Sequence, residues 1–370
     1  MGKAYEDSLS AKEESVKKLM KGITGEVLPI RGAEDPFYYR NKVHSAFGRD
    51  KKGNIISGTY MEGSHKIVMC DGCLIEDKTA QAIMKDLRDL IRAFNLTVYN
   101  EKSGIGLIRR ALIRVGKNSG QVLVTIVVAD HMFPGKKNFV RELTKRHPEI
   151  TSVVININRR SDSMILGDRS ETVCGKGFIT DGLLGMNFRI SPESFYQINV
   201  KQTEVLYSEA LKMADIGKED TVLDAYCGTG TIGLIASKKA GRVTGVENNP
   251  KAVKDAIENA KANKAGNIRF VKADATEFIL KEASEGKKYD VIILDPPRSG
   301  TTKEFIEACS KISPDRIVYV SCDPKTQARD LKIFKENGYR AEKILPVDMF
   351  PWTDSIEAVC LLSRLSDAIT

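Results

Sequence analysis

The amino-acid sequence predicts an α/β protein in two parts: a doubly wound, mainly parallel sheet in the C-terminal half, preceded by a smaller α+β domain. Three observations carry this. From about residue 199 onward, helical and strand periodicities alternate without interruption. Between about 35 and 185 the chain instead shows short alternating apolar segments parted by Gly and Asn, the pattern of hairpins, with helical stretches between them. A glycine-rich turn, GTGTIG from Gly228 to Gly233, lies between a predicted strand and a predicted helix. The expected organisation is a helix and linker over 1–34, the α+β domain over 35–188 and the α/β domain over 189–370.

Taken in order, residues 8–22 read as an amphipathic helix with Lys12, Lys17, Lys18 and Lys21 among apolar positions. PFYYRNKVHSAFG, NIISGTYMEG and HKIVMC read as hairpin strands, and 77–95 returns to helical period. IGLIRRALIRVG and QVLVTIVVAD, parted by KNSG, form a second predicted hairpin, followed by a helix over 136–146 and the strand TSVVININ. Beyond SPESFYQIN come helix 199–214, strand 221–225, helix 230–239, strand 242–247, helix 250–263 and strand 267–272. Helix 274–284, strand 289–294, helix 301–311, strand 316–320, helix 324–337 and two closing strands near 341 and 357 complete the series. Such alternation implies right-handed crossovers on both faces of one sheet.

Composition narrows the class. An apolar content of 42% over 370 residues is ample for real cores. No stretch approaches the roughly 20 apolar residues needed to cross a bilayer, and the charged start MGKAYEDSLSAKEESVKK is neither a signal peptide nor an anchor, so a cytoplasmic protein without membrane association is expected. Seven scattered cysteines argue against a disulfide framework. Only Cys70 and Cys73 make a CxxC pair, with no second pair to complete a zinc site, so no metal is expected. A formal charge of +8 suits a polyanionic partner without establishing one.

Three segments carry the chemistry. In VLDAYCGTGTIGL, Asp224 ends a strand, and Gly228 and Gly230 let the backbone pass close to a ligand beyond the strand's carboxyl end, as in Rossmann-like folds. RVTGVENNP ends its strand in Glu247, placed to bind both hydroxyls of a ribose, and KADATEF sets Asp274 after the next, near an adenine amino group. Acid at three successive strand ends, with no basic residue for phosphates, suits S-adenosylmethionine better than NAD, although Asp at such places is also an ordinary helix cap. In VIILDPPRSG, Asp295 can bond a uracil edge or a cofactor amino group, and Arg298 a phosphate or an enolate oxygen.

IVYVSCDPKTQARD delivers Cys322 to the end of an apolar strand, with Asp323-Pro324 breaking the chain at once. A thiolate adding to carbon 6 of a pyrimidine makes carbon 5 nucleophilic toward a sulfonium methyl, and a base must then remove the carbon-5 proton. Glu357, in PWTDSIEAVCLL, interrupts a terminal apolar strand, a costly place for an acid without a task. A structural ion pair is the competing account.

With these residues in hand, the chain resembles the S-adenosylmethionine-dependent uridine C5-methyltransferases of tRNA and 23S ribosomal RNA. SFYQIN, DAYCGTGTIGL, GVENNP, DPPRSG, VSCDP and DMFPWT–IE occur in that family's order, and the similarity runs from about Glu13 to Leu365. The resemblance implies a methyltransferase domain over 189–370 and an RNA-binding domain before it. It further implies that Gln197, Tyr226, Glu247 and Asp295 contact S-adenosylmethionine, that Cys322 is the nucleophile and that Glu357 is the base. It implies an RNA partner, 23S rRNA before tRNA, for an enzyme acting as a monomer. DPFYYRNK, GSHKIV and GLIRRALIRVG resemble the family's RNA-handling region, and Tyr39, Arg40, Lys42, Arg109, Arg110 and Arg114 are expected RNA contacts; strand alternation puts Arg110 and Arg114 on one face and Arg109 on the other.

The chain departs from the family in three ways. It shows no N-terminal β-barrel; only Cys73 matches a cysteine of the family's iron–sulfur cluster, so no cluster is expected; and Ser355 stands where the family often has His, two residues before the base. Two competing functions keep the same fold: an exocyclic-amino methyltransferase using DPPR, with Cys322 structural, and a non-catalytic RNA-binding protein.

Overall fold

The computed structural model describes residues 3–365, which divide into two compact units. The chain opens with α1 (Lys3–Met20) and β1 (Thr24–Val27). It continues through β2 (Lys42–Arg49), β3 (Ile55–Tyr60), β4 (Ile67–Met69), α2 (Lys78–Ala93), β5 (Ile108–Val115), β6 (Val122–Val128), α3 (Lys136–Arg146), β7 (Ile150–Ile157) and β8 (Arg169–Cys174). A hairpin of β9 (Ile179–Leu183) and β10 (Met186–Ile190) follows.

The remainder is α4 (Val200–Ala214), β11 (Thr221–Ala225), α5 (Thr231–Ala236), β12 (Arg242–Glu247), α6 (Pro250–Ala262), β13 (Ile268–Lys272) and α7 (Ala275–Ser284). Then come β14 (Val291–Leu294), α8 (Lys303–Ile312), β15 (Arg316–Ser321), α9 (Pro324–Glu336), β16 (Tyr339–Val347) and β17 (Glu357–Arg364). Most predicted elements agree to within a few residues. The register of the alternation was readable because each strand is a continuous apolar run bounded by caps: Asp274 caps α7, and Asp323 with Pro324 starts α9.

The α/β unit comprises residues 1–36, 183–187 and 199–370. Its sheet runs β1-β16-β17-β15-β14-β11-β12-β13. All pairs are parallel except those of β17, which lies antiparallel between β15 and β16. The strand order reverses at β11, the switch point outside which such sheets bind ligands. The leading helix and linker expected over 1–34 are part of this unit: β1 pairs with β16, and Val16 and Met20 of α1 join the core formed by Leu223, Ile292, Tyr319 and Phe334. The apolar stripe of α1 needs a sheet to cover, and this core supplies it.

The second unit comprises 37–182 and 188–198. Its sheet runs β4-β3-β2-β5-β6-β7-β8 and is antiparallel except for the β6–β7 pair, whose crossover is α3. Segment 188–198, expected to straddle the domain boundary at 188, therefore belongs here. One face packs Val43, Ala111, Ile113, Val124 and Val153 against Ile83, Leu87 and Phe139 of the helices. Cross-strand pairing puts Lys42 opposite Arg114, His44 opposite Leu112 and Ala46 opposite Arg110, on the alternate positions.

This corrects one expectation. Arg110 and Arg114 do alternate away from the helix-covered core, but Arg114 is buried, and its guanidinium donates to the carbonyls of Pro192 and Ser194. Burial draws its pKa down to about 10. Arg114 fixes the 188–198 segment instead of facing solvent. Arg109 is also buried, donating twice to Glu101 at 2.9 and 2.8 Å and to the carbonyls of Asn158 and Arg160.

No helix among the described residues is long and apolar enough to cross a membrane. Removing one partner of a buried ion pair costs about 3–5 kcal/mol, so Arg109→Met is expected to destabilise the protein by about that amount in denaturant titration, while Arg159→Met at an exposed pair changes stability by less than about 1 kcal/mol.

Candidate active site

The parallel registers bring the ends of four strands into a row. Leu294 pairs with both Ala225 and Tyr319, and Ala225 pairs with Val246. The residues that follow or end these strands, Glu247, Tyr226, Asp295 and Cys322, therefore share the carboxyl edge of the sheet, two of them just beyond the switch-point strand and its neighbour. The antiparallel strand adds the fifth. Ser321 pairs with Ala358, so the next step of that register sets Cys322 opposite Glu357. Gln327 of α9 holds this register, its side-chain amide donating to the carbonyls of Tyr319 at 2.9 Å and Ala358 at 3.3 Å.

Cys322 is partly exposed, while Glu357 is buried and its Oε2 has no hydrogen-bond partner. Burial pushes the Glu357 carboxyl well above the usual carboxylate range, and the Asp295 carboxylate pushes it further; Asp295 is raised by its own burial. The Cys322 thiol is raised by burial and then by these two carboxylates, with Arg298 pulling the other way. Thiol and carboxyls thus interact electrically, and the unpartnered Oε2 is a buried acceptor with room for one proton. Arg298 itself is exposed, 3.9 Å from Asp323.

The glycine turn is built around two carboxylates. Glu247 accepts from the backbone N–H of Gly228 at 3.1 Å and of Asn249 at 2.7 Å, tying the turn after β11 to the end of β12. Asp224 is buried, and its Oδ2 accepts from the N–H of Gly233 at 2.8 Å. A Cβ at position 233 would lie 2.6 Å from that oxygen, so the third glycine of GTGTIG is what lets the helix approach the strand. The Asp224 Oδ2 therefore faces the helix backbone. Asp274 likewise uses its carboxylate to cap α7, accepting from Thr276 and Glu277. At Gly228 an added Cβ would meet nothing within 4 Å, so the backbone there borders open space.

Tyr226 adopts φ 63°, a left-handed conformation rare for a non-glycine residue, and shares a 2.9 Å hydrogen bond with Thr301. Thr301 belongs to the loop after DPPR, which is fixed from below by Asp330. That fully buried carboxylate accepts from the Thr301 N–H, the Tyr319 hydroxyl and Arg329. Sequence reasoning did not single out Asp330, Gln327 or Thr301. An Asp and a Gln recurring three apart on an otherwise amphipathic helix was the available signal.

Gln197 lies in the second unit, where its carbonyl accepts from Asn41. Arg40, Lys42 and Arg110 lie in that unit too, and none of the three makes an ion pair among the described residues. Arg110 stands 5.2 Å from the Tyr60 ring centroid. Lys42 is pulled down to about 8 by burial and by Arg114 and Arg40, and His44 to about 4 by burial and by Arg40, Lys42 and Arg110. Tyr39 is buried. Cys70 and Cys73 are free, partly exposed thiols, and no group of three or more His, Cys, Asp or Glu poised to hold a metal occurs among the described residues.

The family model described as tRNA (uracil-5-)-methyltransferase matches residues 4–365. The chain belongs to this family. It is 39% identical over 367 residues to an uncharacterized RNA methyltransferase of Clostridium tetani, covering 98% of this chain and 80% of that protein. It is 38% identical over 365 residues to another of Oceanobacillus iheyensis, covering 97% and 79%. Among solved structures it resembles the Pyrococcus abyssi tRNA (uracil-54, C5)-methyltransferase in complex with S-adenosyl-L-homocysteine, at 29% identity and TM-score 0.81, over 97% of this chain and 83% of that one. The family assignment agrees with the resemblance read from the motifs.

Buried Asp224, raised to about 8 first by burial and then by Asp295 and Glu247, gives a pH test. Its native form holds a proton that the unfolded chain releases above about pH 4. The resulting stabilisation is fully present below pH 4 and is lost as pH rises through about 8, at up to about 1.4 kcal/mol per pH unit. Asp224→Asn keeps an acceptor for Gly233, so its unfolding free energy should fall less steeply between pH 5 and 8 than that of the unsubstituted protein.

Proposed function

We propose that this protein transfers a methyl group from S-adenosylmethionine to carbon 5 of a uridine in RNA, with Cys322 as nucleophile and Glu357 as base. The observation that carries this is the antiparallel register facing Cys322 with a buried carboxyl whose Oε2 lacks a partner. An exocyclic-amino methyltransferase needs neither group, and a binding protein gains nothing from burying an unpaired acid.

The residues present fit the cofactor. Glu247 ends β12 beside the turn, Asp295 and Tyr226 stand on the same edge, and the open backbone at Gly228 allows close approach. Glu247 and Asp295 would hold its ribose and amino groups. When bound, S-adenosylmethionine supplies an electrophilic methyl group for the carbon-5 nucleophile that Cys322 creates.

The protein's own steps follow from its groups. Cys322, partly exposed, gives its proton to solvent, and its sulfur bonds to carbon 6, so the carbon 5–carbon 6 π electrons move onto carbon 5 and the O4 enolate. Arg298, exposed, would bond that oxygen or a phosphate. Once carbon 5 is methylated, Glu357 Oε2 takes its remaining proton, the double bond re-forms and the sulfur leaves carbon 6. The carboxyl must be ionised at that moment, so the raised value of Glu357 gives release a dependence on pH. A stacked base hides carbon 6, so the uridine must be looped out or flipped.

For the RNA, the family description and the solved relative favour tRNA. The 23S rRNA expected from the motifs is the alternative substrate. Incubation of 5-fluorouridine-containing transcripts with enzyme and S-adenosylmethionine should yield a denaturation-resistant protein–RNA adduct on tRNA. Cys322→Ala should form none, while Glu357→Gln on ordinary RNA should methylate once and remain attached. Adduct on a 23S fragment only would transfer the assignment to ribosomal RNA, and methylation by Cys322→Ala would end the covalent mechanism.

Arg40, Lys42 and Arg110, which make no ion pair among the described residues, support an RNA contact on the second unit. Lys42→Glu with Arg110→Glu should weaken RNA binding and reduce the slope of log K against log salt by about 0.7 to 0.9 per lost phosphate contact, with S-adenosylmethionine affinity unchanged. Filter binding across a salt series measures it.

A further inference from the structure

The loop that delivers Glu357 is tied down by a residue more than three hundred positions away. Between the end of β16 at Val347 and the start of β17 at Glu357 the chain turns through DMFPWTDSI. Lys12, on α1, reaches into this loop. Its Nζ donates to Asp348 Oδ1 at 2.7 Å, to the Phe350 carbonyl at 3.2 Å and to the Ser355 carbonyl at 2.9 Å. Lys12 is 8% exposed and Asp348 fully buried.

The three acceptors lie at the beginning, the middle and the end of the loop, the last of them two residues before Glu357. One ammonium thus uses its three donors to close the loop on itself. The neighbours reinforce it. Tyr5 donates from its hydroxyl to Asp348 Oδ2 at 2.8 Å and accepts from the Ala33 N–H. Asp348 donates its N–H to the Arg31 carbonyl and accepts at its carbonyl from Gln202. Trp352, at φ 67°, packs at 5.4 Å on the Tyr5 ring.

A lysine amid the apolar stripe of an amphipathic helix is costly to bury unless paired. Anchoring alone would need one hydrogen bond; here the same ammonium also binds both flanks of the turn that sets where β17 begins. We propose that Lys12 is a positioning residue for Glu357, holding the loop so that the carboxyl stands opposite Cys322 when the carbon-5 proton must be removed. This rests on the covalent mechanism given above, in which Cys322 makes the adduct and Glu357 resolves it.

The mechanism separates the two functions experimentally. A misplaced base leaves adduct formation and methyl transfer in place and slows release alone. Lys12→Met with Asp348→Asn removes the charge pair without stranding a buried carboxylate, and Lys12→Arg and Tyr5→Phe are measured beside it. For the double variant, kcat is expected to fall by about tenfold to a hundredfold, with KM for RNA and for S-adenosylmethionine within about twofold. A methylated, denaturation-resistant protein–RNA complex should accumulate on ordinary RNA, as in Glu357→Gln. Tyr5→Phe should show the same pattern in smaller degree, and Lys12→Arg should recover part of kcat.

Loss of activity in proportion to loss of folded protein, with no accumulated adduct, would overturn the proposal and make Lys12 an anchor only. So would normal turnover of the double variant. Should the double variant fail to fold, Tyr5→Phe decides: unchanged release kinetics overturn the proposal. The 5-fluorouridine trap on the unsubstituted enzyme is the separating control, since its failure would remove the covalent mechanism whatever Lys12 does.

Discussion

The antiparallel placement of β17 between two strands of an otherwise parallel sheet is the constraint on which the site depends. In a parallel sheet only carboxyl ends reach the ligand-binding edge, and those of β11, β12, β14 and β15 supply Tyr226, Glu247, Asp295 and Cys322. An antiparallel strand brings its first residue to the same edge, and that residue is Glu357. The period of two makes the arrangement strict: a slip of one residue would turn Glu357 to the opposite face and expose the alternating core set. Gln327, bonded to both Tyr319 and Ala358, and the loop held by Lys12 resist that slip from two sides.

The same edge concentrates carboxyl groups in a poorly solvated place. Burial raises Asp224, Asp295 and Glu357 together, and the Asp295 carboxylate raises the other two further. Such a cluster opposes stability at neutral pH, the kind of perturbed titration that gathers at functional sites. The left-handed Tyr226 adds backbone strain at the same point, retained because Thr301, and beneath it Asp330, fix the adjoining loop. A second layer of buried acids and amides therefore holds the reactive layer in place.

In the second unit the arginines divide by partner. Arg109 and Arg114 donate from their terminal guanidinium nitrogens to Glu101 and to carbonyls of distant loops, while the buried Nε of each has no partner, and they act as staples. Arg40, Lys42 and Arg110 make no ion pair among the described residues, and burial, followed by the neighbouring cations, lowers Lys42 and His44. Basic charge that the protein does not neutralise is charge available to a polyanion.

The sequence by itself determined the alternation of strands and helices, the glycine turn, the caps and the strand-end positions of Glu247, Asp295 and Cys322, because each rests on local periodicity or on residues close in the chain. It also marked Glu357 as an acid interrupting an apolar strand. It did not separate Arg114 from Arg110, since alternation says which face a side chain takes and nothing of what covers that face. Nor did it separate the capping role of Asp274, or the helix-facing role of Asp224, from ligand binding; all three strand-end acids look alike until their acceptor oxygens are matched with donors. The pairing of Cys322 with Glu357, the bridge made by Gln327 and the reach of Lys12 to Ser355 were decided only by tertiary structure. They depend on which strands become neighbours, and that is fixed by the burial of whole apolar faces, a property no single segment carries.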